Sequence, residues 1–313
     1  PYLADERDGR NSPIVIAGGI SVSYNPEPIA DFIDAFVIGE AELLLHQFLD
    51  KFYDWKYSKA EKNELLKELD KIDSVYVPSF FDVEYQSDGT IKSNNSLDSS
   101  FVNRAIIDNI DKVRGASAIL TPDTEFSDVF LVEIARGCIW NCRFCVLKHV
   151  RCPYRTRSLE SVIKLAKEAI GFTDRVGLIG ASVSDHPQID EIASRLLKLG
   201  FKISTASLRA ETVSKTLLDA IAESEQSTIT IAPEVATKRL QEKINKTVPE
   251  EKLFFVIEEA LKRGLFNIRL YFMVGVPDET QEDIEAIIDI CKKIREIFLK
   301  YAQNKGCLLY TSD

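Results

Sequence analysis

The spacing of apolar positions changes several times along the chain, and the changes divide it. The run Pro13-Ile14-Val15-Ile16-Ala17 ends in Gly18-Gly19, which predicts a short buried strand followed by a turn. A helix is expected from about Pro28, because proline suits a first helical turn. Ala35-Phe36-Val37-Ile38 predicts a second strand that runs into Gly39-Glu40-Ala41-Glu42, with an amphipathic helix after it to about Trp55. Between Glu61 and Ile72, leucines three or four apart among lysines and glutamates predict a surface helix.

Residues 74–125 follow neither a helical nor a strand period for long. Val75-Tyr76-Val77 and Phe81-Asp82-Val83-Glu84-Tyr85 are β-prone, and a hairpin closed near Asp88-Gly89 is expected. From Asp128 onward strand and helix patterns alternate strictly. Strands are predicted at 129–135, 176–181, 202–208, 227–232 and 267–274. Helices are predicted at 158–170, 188–199, 211–223, 236–264 with a break at Pro249, and 280–302. This alternation makes parallel βαβ units, in an open sheet or a barrel.

Strand faces choose between the two. Ile268, Leu270, Phe272 and Val274 share one side of the last strand, and Arg269, Tyr271 and Met273 share the other. Ile229 and Ile231 oppose Thr228, Thr230 and Glu234 in the same way. A parallel strand buried on both faces would be apolar throughout. The fold class expected is therefore α/β, a barrel whose interior holds a ligand.

Length and composition narrow the function. At roughly 150 residues per domain, 313 residues leave room for about two. No apolar run approaches the ~18 residues of a membrane span. A net charge of −10 disfavours indiscriminate nucleic-acid binding without excluding a local basic site. Six cysteines, three of them within eight residues, point to metal in a reducing compartment, hence the cytoplasm, rather than to a disulfide scaffold. The chain starts at Pro1 and its one methionine is Met273, so a fragment truncated at both ends is expected, with 307–313 a non-native tail.

Chemistry concentrates in Arg136-Gly137-Cys138-Ile139-Trp140-Asn141-Cys142-Arg143-Phe144-Cys145, directly after the first strand of the alternating region. Three thiolates on one tight loop suit a single iron–sulfur cluster, and they leave one of the four irons of a [4Fe–4S] cluster open. Structural zinc, with His149 or Cys152 as fourth ligand, is the alternative; its usual ligand pairs lie much farther apart. Cys291 falls on an apolar helix face and reads as core. Arg136, Arg143, Lys148, Arg151, Arg155 and Arg157, with no carboxylate between Ala135 and Leu159, read as a positive patch that tunes the cluster. Ser184-Asp185-His186-Pro187 reads first as a helix cap, with His186 a weaker candidate for substrate contact.

These motifs, with Gly18-Gly19, Asn25-Pro26-Glu27-Pro28, Ile38-Gly39-Glu40-Ala41-Glu42, Ser207-Leu208-Arg209, Ile231-Ala232-Pro233-Glu234 and Tyr271-Phe272-Met273-Val274-Gly275-Val276-Pro277, resemble radical S-adenosylmethionine (SAM) enzymes, in the branch with an N-terminal cobalamin-binding domain. The resemblance implies a partial TIM-like barrel after the remnant of a Rossmann-like domain. Its divisions are 1–55 (cobalamin-binding remnant), 56–125 (linker subdomain) and 126–306 (radical SAM core). Cys138, Cys142 and Cys145 would hold a [4Fe–4S] cluster, and SAM would chelate the open iron and be cleaved reductively to a 5′-deoxyadenosyl radical. Phe144 would lie near the adenine, as would the backbone at Gly275 and Pro277. Gly180 would offer backbone to the SAM amine, although the acidic residue usual in that motif is absent. Ser207 and Arg209 end the third strand, where Arg209 would pair with the SAM carboxylate, and Glu234 would accept from a ribose hydroxyl. Gly18, Gly19, Gly39 and Glu40 would line the cobalamin nucleotide site. The cobalt-ligating histidine motif is not visible, so cobalamin is a further cofactor that the resemblance admits without requiring.

A transferase reaction, methylation or a related modification of an unactivated carbon, follows from the resemblance, fed by a donor such as ferredoxin or flavodoxin. Methylthiotransferase-like modification of RNA or protein is the alternative within the same chemistry. A non-catalytic zinc or iron–sulfur binding module is the alternative outside it.

Overall fold

The computed structural model describes residues 2–7, 9–96 and 102–302; the expected tail at 307–313 lies outside them. The chain divides into two compact units, Pro1–Asp108 with His149–Arg151, and Asn109–Lys148 with Cys152–Asp313.

In the first unit, β1 (Ile16–Gly18) pairs parallel with β2 (Ala35–Val37), and β3 (Val75–Tyr76) runs antiparallel on the other side of β2. The connection from β1 to β2 holds a short helix α1 (Ile20–Tyr24) and a 3-10 turn, Glu27–Phe32, where a helix from Pro28 was expected. Ile33 is already extended, so too few residues separate Pro28 from β2 for a regular α-helix.

Helices α2 (Leu45–Tyr57) and α3 (Lys62–Asp70) follow. Leu65, Leu66 and Leu69 of α3 pack with Phe48, Ala35 and Val75 into one core cluster, each worth about 1.5–3 kcal/mol when fully buried. The helix is less superficial than its charge suggested. Even Lys62 is buried, its Nζ 2.6 Å from Asp34 Oδ1, while Arg7 reaches Asp34 Oδ2 at 3.2 Å. The expected hairpin forms from β4 (Phe81–Tyr85) and β5 (Ile91–Ser96), with the Asp88 carboxylate accepting from the Thr90 N–H at 3.0 Å in its turn.

The second unit realises the strand–helix alternation. Strands β6 (Val129–Glu133), β9 (Arg175–Ile179) and β10 (Lys202–Thr205) form a parallel sheet in the order β10-β9-β6. Strands β11 (Thr228–Glu234) and β12 (Asn267–Phe272) pair parallel, and a bridge between Leu208 and Ile231 continues the array from the β10 side. This is an open, partial barrel of five strands.

The expected strand 129–135 stops at Glu133. Ala135–Arg136 (β7) instead pairs antiparallel with Arg155–Thr156 (β8), closing the cysteine loop at its base. Helix α4 (Leu147–Val150) follows the cysteine loop, and α5 (Leu159–Ala166), α6 (Ile189–Lys198), α7 (Lys215–Glu223), α9 (Glu250–Lys262) and α10 (Gln281–Ala302) connect or follow the strands. Ser158 and Ser214 cap α5 and α7, their hydroxyls accepting from Ser161 and Leu217. The Ser214 cap starts α7 four residues later than the sequence pattern suggested. The predicted break falls between α8 (Lys238–Ile244) and α9, at a left-handed Asn245.

Ile229, Ile231 and Pro233 are buried on β11 while Thr228, Thr230 and Glu234 are half-buried, the alternation expected of a strand with one polar face. Register slips by one residue between Ile231 and Glu234, where Pro233 has no N–H for the ladder. Cys291 is exposed rather than core. Among the described residues, no helix is long and apolar enough to cross a membrane.

Candidate metal centre

In a parallel array every strand ends on the same edge, and loops at that edge carry chemistry. Cys138, Cys142 and Cys145 lie on the loop that leaves β7, all three thiols free and partly exposed. Gly137 turns the chain there with φ 79°, a conformation that costs glycine least. Cys145 N–H donates to the Cys142 carbonyl at 3.1 Å, which tightens the second half of the loop.

The loop is docked to the end of α8. Asn245 Nδ2 donates to the Asn141 carbonyl at 2.7 Å, Arg143 N–H donates to the Ile244 carbonyl at 2.9 Å, and the Arg143 guanidinium caps the Lys243 carbonyl.

The ends of β9 and β10 converge on the same loop. The Trp140 indole N–H donates to Asp185 Oδ2 at 2.5 Å. The Arg209 guanidinium lies 3.9 Å from the centre of the Trp140 ring, and its Nη1 is 3.9 Å from Cys142 Sγ. Its Nη2 pairs with Glu211 Oε1 at 2.5 Å. Burial pushes the Cys138 thiol up, and the Asp185 charge adds to the effect while Arg209 opposes it. Burial also pushes the Tyr154 phenol up, to about 12, reinforced by Asp185 and Cys138.

Six buried polar atoms here lack a partner: Tyr154 OH, Ser182 Oγ, Asp185 Oδ1, Thr205 Oγ1, Arg209 Nε and Glu211 Oε2. Buried polar atoms are rarely left unpaired without a reason, so their gathering at the strand ends beside three thiols fits a polar ligand. Thiolates are the donors that iron–sulfur clusters use. Among the described residues no three His, Cys, Asp or Glu side chains gather tightly enough to chelate a single ion.

The other expected residues are placed as follows. Phe144 is exposed. Gly180 follows β9, where an added Cβ would stand 3.7 Å from the Ile134 and Ala135 side chains. Ser207 follows β10. Glu234 ends β11 with φ 70°, and its Oε1 accepts from Lys246 Nζ at 2.8 Å. Gly275 N–H donates to Glu279 Oε2 at 2.6 Å, in the turn that also holds Pro277.

The first unit holds the remaining four. Gly18 ends β1; Gly19, Gly39 and Glu40 line a small cleft with Ser23 and Arg151. A Cβ on Gly39 would lie 2.3 Å from the Ala105 carbonyl oxygen, and Glu40 Oε2 accepts from Ile107 N–H at 2.8 Å. Chain packing therefore accounts for both. Gly19, with φ 102° and nothing within 4 Å of a built Cβ, leaves open space for a ligand.

Two expectations need correction. His186 is buried, donating through Nε2 to the Arg157 carbonyl at 2.9 Å and accepting from Gln188 N–H through Nδ1 at 3.1 Å. Both ring nitrogens are used internally, so it makes no substrate contact, and α6 is capped at Gln188 rather than by Asp185 or His186. The basic stretch is not one patch either. Arg157 is fully buried, Arg136 pairs with Glu133 at 2.9 Å, Arg143 faces α8, and Arg151 sits 3.9 Å from Glu40 in the first unit. Counting charges along a loop misses the direction in which each side chain leaves it.

Residues 132–291 match the profile of the radical SAM superfamily. The chain belongs to that superfamily. Residues 1–78 also match the N-terminal region of radical SAM proteins. Membership carries a [4Fe–4S] cluster and SAM.

An uncharacterized protein of Methanocaldococcus jannaschii is 32% identical over 303 residues, covering 94% of this chain and 59% of its own. An uncharacterized methyltransferase of Pyrococcus horikoshii is 27% identical over 301 residues, covering 92% of this chain and 59% of its own. The chain thus spans about three-fifths of these relatives. Among solved structures, the radical SAM methyltransferase TsrM of Kitasatospora setae superposes with TM-score 0.64 at 13% identity, over 91% of this chain and 54% of its own. The cobalamin-dependent radical SAM enzyme OxsB superposes with TM-score 0.60 at 16% identity, over 94% and 43%. Those two likenesses establish the fold.

The sequence reading missed Trp140, Asp185 and Glu211 as parts of the site. Trp140, an aromatic between Cys138 and Cys142, was the available signal; its partners lie 45 residues or more away in sequence.

Proposed function

We propose that the protein cleaves SAM reductively at a cluster held by Cys138, Cys142 and Cys145 and methylates an unactivated carbon, with cobalamin as a further cofactor of the first unit. Cluster and SAM together supply the 5′-deoxyadenosyl radical; the protein supplies position and charge. The observation that carries this reading is the guanidinium of Arg209 standing beside Cys142 Sγ with a buried, unpartnered Nε, in reach of a carboxylate held at the same thiol loop.

Gly180 offers backbone to the SAM amine. Glu234 keeps one oxygen beyond its Lys246 bond for a ribose hydroxyl. Phe144 offers an exposed aromatic face for the adenine, and the backbone at Gly275 and Pro277 approaches the same base. Ser207 adds a hydroxyl near Arg209. In the first unit Gly18 and Gly19 offer the open turn for the cobalamin tail. A low-potential donor of the ferredoxin or flavodoxin kind delivers the electron.

Support for methylation comes from the methyltransferase name of the Pyrococcus relative and from the likeness to TsrM. Methylthiolation of protein or RNA is the second reading, favoured by a ribosomal protein uS12 methylthiotransferase of Thermoanaerobacter, 25% identical over 251 residues. Anaerobic reconstitution with iron and sulfide, then dithionite and SAM, tests the core of the proposal. A brown protein that forms 5′-deoxyadenosine is expected. Stoichiometric zinc and no cleavage would make it a binding module instead.

A further inference from the structure

Resting on the reading that the three cysteines hold a cluster, we propose that Trp140 is a positioning residue that sets the cluster's reduction potential by holding Arg209 against Cys142. Trp140 lies between Cys138 and Cys142, so its backbone follows both ligands. A half-buried indole N–H needs a partner, and Asp185 Oδ2 provides one at 2.5 Å. That bond fixes the ring plane.

The guanidinium of Arg209 then rests on the ring at 3.9 Å from its centre, a cation–π contact, and its Nη1 reaches Cys142 Sγ at 3.9 Å. One carboxylate competes for the same cation: Glu211 already binds Nη2 at 2.5 Å. Without the aromatic face, only the sulfur itself opposes that pull, and the cation shifts away from it.

A cation beside a ligating thiolate stabilises the more negative, reduced cluster. Holding it there raises the potential, which makes the one-electron reduction by an external low-potential donor easier.

The test is a redox titration of the reconstituted full chain, read by electron paramagnetic resonance of the reduced cluster, with iron and sulfide per chain measured alongside. Poised at the wild-type midpoint, Arg209→Met is expected to lower the ratio of reduced to oxidised cluster about tenfold, equivalent to ~59 mV for one electron. Trp140→Leu is expected to lower it by a similar factor. The double variant is expected to fall no further than either single one, because Trp140 acts through Arg209. Trp140→Phe keeps a ring but loses the Asp185 anchor; a fall of roughly threefold is expected, and this variant decides if Trp140→Leu takes up less iron.

A loaded wild type whose ratio is unchanged by either Trp140 variant overturns the proposal, as do Trp140→Leu and Arg209→Met effects that add. A wild-type chain that takes up no cluster removes the underlying reading, and this proposal with it.

Discussion

Arg157 gives the sharpest separation between a structural and a cluster-tuning role for the basic stretch. Its side chain is 1% exposed, and its guanidinium donates to the carbonyls of Glu133 at 2.8 Å, Ile110 at 2.6 Å and Val113 at 3.0 Å. Arg157→Met would leave three carbonyls short of a donor in a closed site. Each buried group left unsatisfied costs ~1–3 kcal/mol, and removing one partner from a buried charged network costs ~3–5 kcal/mol in all. Against typical stabilities of ~5–15 kcal/mol that is about a fifth or more.

With a urea slope of ~2.5 kcal/mol per molar, the midpoint should fall by about 1.5 M. The assay is urea unfolding followed by Trp140 fluorescence in a Trp55→Phe background, since these are the chain's two tryptophans. Gly115→Ala is an independent arm, because its Cβ would stand 2.4 Å from Arg157 Nη2 and 2.9 Å from Glu133 Oε2. A midpoint shift below ~0.3 M for Arg157→Met, with a changed cluster potential, would rule out a purely structural Arg157 and restore the tuning role.

Three further outcomes follow from the same contacts. Burial holds the His186 imidazole below its ordinary value of 6.5, so unfolding takes up a proton in acid and this contribution, full above pH ~6.5, is lost as the pH falls; the urea midpoint should drop between pH 7.5 and 5.5, and His186→Gln should remove that part of the drop. Gly39→Ala should destabilise the first unit by about 2 kcal/mol or more, seen as a lower midpoint in Trp55 fluorescence, because φ is 106° and the new Cβ meets the Ala105 backbone. Cys291→Ser should keep the iron content of the reconstituted protein and Cys142→Ser should lose it, since Cys291 is exposed on α10, outside the cysteine loop.

Much of the second unit was legible because its signals are local. Strand and helix periods placed all five strands of the array, and the alternation on β11 and β12 foretold a polar face. The three cysteines stood out in the sequence by their spacing alone. What stayed hidden depends on groups far apart in sequence. Lys246 neutralises Glu234 across twelve residues, Asp185 anchors Trp140 across 45, and Arg209 reaches Cys142 across 67. Arg157 was counted in a cluster-tuning patch because no local pattern reveals three carbonyls waiting in the interior. Cys291 looked like core because helical periodicity does not tell whether a packing neighbour stands opposite. The 3-10 turn after Pro26 escaped for another reason: proline permits a helix start, but the distance to the next strand decides how far it runs.

The proposed function requires that three protein thiolates leave one iron for SAM. Electron paramagnetic resonance of the reduced, reconstituted protein, recorded before and after SAM is added, tests it most directly. A [4Fe–4S] signal whose g-values shift on SAM binding is predicted. A signal that SAM leaves untouched, or a protein that holds zinc in place of iron, would contradict it.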